Sequence, residues 1–146
     1  MAIGVKPPVW FWIVAILLVL WEGYGVYLCV DQFQHGAHSA AWDPSPYGEA
    51  LYAKLPVWYN YAYAVATFGG LLGGLALLLR ERRATILFVI SLIAMLANFG
   101  YLFAATDLLA HEGPAKTLPV PAMVIAVTLF AIWFARLAAR KGWIGR

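Results

Sequence analysis

Charge is scarce in this chain. Lysine, arginine, aspartate and glutamate supply 12% of its 146 residues, against about 25% in an ordinary soluble domain. A water-facing surface over a buried core cannot be built from so little. Cysteine is rarer still. Cys29 stands alone, so no intramolecular disulfide can staple the fold. The signatures of common catalytic sites are missing too. There is no glycine-rich phosphate loop, no nucleophile elbow and no His-Glu-x-x-His pair. Strand alternation is absent: Leu71-Leu72 and Leu77-Leu78-Leu79 put apolar groups on every face.

What the chain has is hydrocarbon. Hydrophobic residues make up 64% of it, with a mean hydropathy of +0.78. They fall into four long runs, 9–30, 57–79, 85–105 and 120–138. At about 1.5 Å per residue each run covers roughly the 30 Å hydrocarbon thickness of a bilayer. A backbone in lipid must satisfy its own hydrogen bonds, so the runs are expected to be helices. The fold class read here is an all-α membrane protein, an antiparallel four-helix transmembrane bundle forming one domain over 1–146. Lys6 is the one charge before the first run, and no small-residue cleavage site follows it. That run is read as an uncleaved span and not a signal peptide.

Basic residues set the orientation. Lys6, Arg80, Arg82, Arg83, Arg136, Arg140, Lys141 and Arg146 fall on one side, and only Lys54 and Lys116 on the other. The basic side is expected to be cytoplasmic, with both termini inside. The net charge of +3 then reflects topology, not nucleic-acid binding, and each arginine is read as a topology anchor. Asp31, Asp43, Glu49, Asp107 and Glu112 share the opposite side. Trp10, Trp12, Trp58 and Tyr59 are read as interfacial belts. The short turn after Leu79 makes the second and third spans a hairpin.

The sequence also admits two parallel two-helix repeats. Laid without gaps on the third run, the first puts Val9 on Thr85, Glu22 on Asn98, Asp31 on Asp107 and His35 on His111. The second members open alike, with Leu55-Pro56-Val57 and Leu118-Pro119-Val120.

Glu22 is the only acidic residue inside any run. A carboxyl at that depth must be protonated, paired or facing a polar cavity. Spacing by three and four residues gives each span a small or polar stripe. The stripes are Ala15, Glu22, Gly25 and Cys29; Asn60, Tyr63, Thr67, Gly70 and Gly74; Ser91, Ala94, Asn98 and Tyr101; and Thr128, Ala131 and Ala135. Small residues mark close helix contacts in lipid, so the stripes are expected to face the bundle interior. Glu22 and Asn98 both lie about 20 Å from the basic end of their spans, and Thr128 falls in nearly the same layer. Two readings stand side by side. The layer is either a hydrogen-bond cluster that fixes packing, or a ligand site made of Glu22, Asn98, Asn60, Tyr63, Thr67, Thr128 and Tyr101.

A second constellation lies at the outer rim. Asp31/His35 and Asp107/His111 are each spaced i, i+4 and share a helix face if the helices run on to Gly36 and Gly113. Asp and His ligate Zn²⁺ or Cu²⁺, with His38, Asp43 and Glu112 as further candidates. The alternative is His–Asp pairing at the surface, and no metal or other cofactor is assigned.

The opening Pro7-Pro8-Val9-Trp10-Phe11-Trp12, the pair Trp21-Glu22, the segment Gly25-Val26-Tyr27 and the run Phe68-Gly69-Gly70 resemble a family of small bacterial four-span inner-membrane proteins, often labelled sugar transporters. The resemblance implies a multi-pass protein of the bacterial inner membrane and transfers no catalytic residue. Glu22 departs from it, since relatives commonly carry a neutral amide there. Three functions compete. The first is binding or transport of a small molecule in the outer-half layer, by a homo-oligomer. The second is an accessory or assembly subunit of a larger membrane complex. The third is a membrane isomerase working through Glu22, ranked last because no second acid or base shares its layer. The chain is therefore read as a non-enzyme whose partners are the bilayer, copies of itself or a larger complex, and a small ligand.

The charge split makes a direct prediction. In a Cys29→Ser background, a cysteine placed at position 43 or 115 should react with an impermeant maleimide from outside the cell. One at position 82 should react only after permeabilisation, and labelling of position 82 from outside would reverse the orientation.

Overall fold

Four membrane-length helices form, with no strand among the described residues. The computed structural model describes residues 5–40, 42 and 44–145; Asp43 and Arg146, named above, lie outside the described residues. The helices are α1 (Val9–His35), α2 (Pro46–Ala53), α3 (Val57–Leu78), α4 (Arg83–Ala104), α5 (Leu108–Glu112), α6 (Pro114–Thr117) and α7 (Pro119–Arg140). Helices α1, α3, α4 and α7 are long and apolar enough to cross a membrane. Proline caps or opens five of these helices, as Pro8, Pro46, Pro56, Pro114 and Pro119. Its missing N–H is one the first turn would leave unpaired.

The helices pack in the order α1, α3, α4, α7, with α3 between α1 and α4. The termini and the α3–α4 turn share one end, here the basic end. The inter-helix loops holding α2, α5 and α6 form the far end. Buried positions on α4 are Ala84, Phe88, Ser91, Met95, Asn98 and Leu102, a strict alternation of four and three. Helix α1 keeps the same rhythm at Phe11, Ala15, Leu18 and Glu22, and resumes it at Cys29 and Gln32. That is the seam spacing of left-handed helix packing.

Helix α3 is buried on two faces because its Gly69-Gly70-Leu71-Leu72-Gly73-Gly74 run holds two small-residue pairs. Gly70 and Gly74 meet α1: a Cβ on Gly74 would lie 2.9 Å from Val19 Cγ2. Gly69 and Gly73 meet α4: a Cβ on Gly73 would lie 2.8 Å from the Phe88 ring. Ser91 Oγ closes that second contact by donating to the Ala66 carbonyl at 2.5 Å.

The basic end holds the apolar core. Phe11, Phe88, Phe134, Leu77 and Ile144 are fully buried there. Phe11 stacks on Phe134 at 5.5 Å, and Trp143 of the C-terminal tail meets Trp10 edge-on at 5.3 Å. Arg80 ties this end together and is more than a topology anchor. It takes the left-handed conformation (φ 58°) that turns the chain after α3. Its Nε donates to the Trp143 carbonyl at 2.7 Å and its Nη2 to the Val5 carbonyl at 3.0 Å.

Two expectations need correction. Tyr59 is not an interfacial residue; it is buried and packs on Tyr101 at 6.3 Å. The helix carrying Asp107 does not run on from α4. Thr106 turns its hydroxyl back to the Leu102 carbonyl, α4 ends at Ala104, and Asp107 instead precedes the separate α5. Asp31 and His35, by contrast, lie on one continuous α1. The two matched Asp-x-x-x-His segments therefore fold differently.

The glycine contacts predict a mutational pattern. Gly73→Leu and Gly74→Leu should each destabilise the protein by about 1–3 kcal/mol or more through overpacking. Gly23→Ala should be neutral, since nothing lies within 4 Å of its Cβ position. Thermal unfolding in detergent measures all three, and unchanged melting of the leucine variants would refute the packing.

Candidate functional site

Each polar residue of the expected layer is buried or half-buried, but they divide among separate helix contacts. Glu22 is 6% exposed and points at α3. Its carboxyl fills a notch left by Gly70, where a Cβ would lie 1.9 Å from Oε2. Among the described residues nothing forms a hydrogen bond or an ion pair with that carboxyl. Asn98, at the matching position of α4, does not reach Glu22. Its amide, in the orientation that satisfies both ends, donates to the Tyr59 carbonyl and accepts from the Tyr63 N–H, each at 3.2 Å. It thus clamps the backbone of α3.

The remaining members are bonded locally. Thr67 donates to the carbonyls of Tyr63 (3.1 Å) and Ala64 (3.3 Å) within α3, and Gly25 packs against its methyl. Thr128 donates to the Val124 carbonyl at 3.0 Å and approaches Met95 Sδ at 3.8 Å, across the α4–α7 contact. Tyr101 is edge-on to Trp58 at 5.4 Å. Asn60 joins three elements: it accepts from Gln32 Nε2 at 2.8 Å and donates to the Tyr52 hydroxyl at 2.7 Å. Sequence reasoning misses Gln32, and it reads Tyr52 only as an aromatic of the outer segment and not as a partner of Asn60. Gln32 had a signal, since it continues the spacing of Glu22, Gly25 and Cys29. Asn60 is ten residues from Gly70 on α3, so this chain of amides and phenol lies about 15 Å nearer the far end than Glu22.

The rim residues are tied to loops. Asp31 accepts from His35 Nδ1 at 2.9 Å and from the Ala40 N–H at 2.7 Å, holding the turn after α1. Asp107 accepts from the Tyr47 hydroxyl at 2.6 Å, and the Tyr47 ring stacks on His111 at 3.7 Å. The far-side partner, Tyr47 of α2, has no helical spacing that could have exposed it. His38 lies 3.7 Å from Glu49, and Glu112 lies 3.4 Å from Lys116. Among the described residues, His, Cys, Asp and Glu nowhere gather in a group of three or more fit for a metal ion.

With the geometry in place, comparison with known proteins adds nothing: no protein family, curated protein or solved structure matches this chain.

The Tyr47 contact gives a prediction at the rim. The phenol hydrogen bond is the largest influence holding the Asp107 carboxyl below its ordinary value of 3.8, because it favours the ionised form. In Tyr47→Phe that carboxyl should titrate closer to the ordinary value, read by NMR of its side-chain carbon. An unchanged titration would show that α2 does not hold Asp107 in solution.

Proposed function

We propose that this small polytopic membrane protein binds or transports a small molecule through the outer-half layer headed by Glu22. The reading includes Asn98, Asn60, Tyr63, Thr67, Thr128 and Tyr101 as polar residues spread between Glu22 and the far end, and a bacterial inner-membrane setting with cytoplasmic termini. One observation carries it: Glu22 is buried in an apolar span against Gly70, and its carboxyl has no hydrogen-bond or ion-pair partner among the described residues. An intramembrane ionisable group in that state marks a functional site by default. Its carboxyl can hold a proton, a cation or the hydroxyl of a ligand. A hydroxylated ligand suits the chemistry and agrees with the sugar-transporter label of the family that the chain resembles. The Gln32–Asn60–Tyr52 chain closes the α1–α3 contact nearer the far end.

Ligand-dependent thermal stabilisation of the purified protein, screened with monosaccharides and polyols, tests the reading. A ligand should raise the melting temperature of the wild type and leave Glu22→Leu unmoved. Glu22→Gln should keep fold and stability, because the amide retains most of the size and hydrogen-bonding capacity. Equal ligand responses in wild type and Glu22→Leu would remove Glu22 from the site. A larger protein co-purifying in fixed ratio would favour the accessory-subunit role instead.

A further inference from the structure

Two hollows adjoin at the far end, and they differ in chemistry. The first, about 430 Å³, opens beneath α2 and is lined by Trp42, Tyr47, Glu112, Lys116 and Thr117 among others. The second, about 580 Å³, is a groove between α4 and the start of α7, walled by Leu96, Phe99, Phe103, Pro121 and Ile125 and floored by Gly100. Consecutive residues line the two. Leu102 faces the first and Phe103 the second; Thr117 faces the first and Leu118 the second. The hollow outside the spans carries charged and hydrogen-bonding groups on a largely apolar lining, and the groove along the spans carries almost none; the same two chain segments border both.

The groove is a real gap in the packing. The buried residues of α7 begin only at Thr128, so its first two turns stand off from the bundle. A Cβ on Gly100 would meet nothing within 4 Å. At this depth the filling material is hydrocarbon. The hollow above offers both signs of charge side by side, Lys116 Nζ lying 3.4 Å from Glu112 Oε2. It also has the amphipathic rings of Trp42 and Tyr47, which favour the headgroup level.

We propose that these two hollows form one site for a zwitterionic phospholipid, with one acyl chain along Gly100 and the headgroup beneath α2. Lys116 meets the phosphate and Glu112 meets the ammonium group. A headgroup carrying only negative charge meets Lys116 equally well but is repelled by Glu112. The site is separate from the Glu22 layer and does not depend on it.

Native mass spectrometry of the whole protein, equilibrated with an equimolar mixture of phosphatidylethanolamine and phosphatidylglycerol, tests this. One lipid should survive on the wild type, with the ethanolamine form favoured about fivefold, the scale of an exposed ion pair. Glu112→Lys should turn the preference to the glycerol form. Gly100→Phe should abolish retention of both without lowering the melting temperature in lipid-free detergent, since it fills open space. Glu22→Leu should retain lipid as the wild type does. The proposal fails if no lipid is retained, or if retention and preference survive both Gly100→Phe and Glu112→Lys. It also fails if Gly100→Phe dissociates a dimer, because the groove would then hold a second copy.

Discussion

Backbone approach on both sides of α3 sets the spacing of the three helices it belongs to. In hydrocarbon, helices gain nothing by hiding apolar surface from lipid tails, so association rests on close packing and hydrogen bonds. Two glycine pairs, each spaced by one helical turn and rotated from each other by about 100°, let α3 meet α1 and α4 together. Gly73 makes room for the Phe88 ring and Gly74 for Val19. Gly70 makes room for a carboxyl. The same device that builds the bundle therefore admits its one intramembrane acid.

The two ends of the molecule are built from different forces. At the basic end, Phe11, Phe134 and Trp143 pack as rings, and Arg80 binds main-chain carbonyls of both terminal segments. Its charge meets peptide dipoles at both carbonyls. At the far end, packing gives way to side-chain hydrogen bonds through Asn60, Asp31 and Tyr47. Local opening is cheap where few apolar contacts must be broken. The far end is thus the part of the bundle that opens with least disruption of apolar packing.

The helices and their interior faces were legible in the sequence. Length and hydropathy give the four spans, and small residues at helical spacing give the buried stripes, since both signals are local to one helix. Ala15, Glu22, Ser91, Asn98, Thr128 and Ala135 are all buried. What stayed hidden depends on contacts between distant segments. Nothing near Tyr47 shows that it reaches Asp107, and nothing near Arg80 shows that it binds residues 5 and 143. The break before α5 turns on one threonine hydroxyl choosing a carbonyl of its own helix. Residue counting from the span starts puts Glu22 and Asn98 at one depth, but the structure sets Glu22 against Gly70 and Asn98 against Tyr63, seven residues or about 10 Å apart along α3.

What each side chain bonds follows from donor and acceptor counts. An asparagine amide carries both a donor and an acceptor. It can therefore satisfy itself on a neighbouring helix, giving to one carbonyl and taking from one N–H, as Asn98 does at Tyr59 and Tyr63. An ionised carboxylate only accepts. Asn98 shares the Tyr63 N–H with the helix's own ladder, whereas glycine at position 70 brings no side-chain donor to Glu22. Replacing that glycine by a serine or threonine would bring a hydroxyl, but its Cβ would lie 1.9 Å from Oε2, so the end of the Glu22 side chain would have to move out of the notch. The notch at Gly70 thus fits the carboxyl by size and supplies no side-chain donor to it.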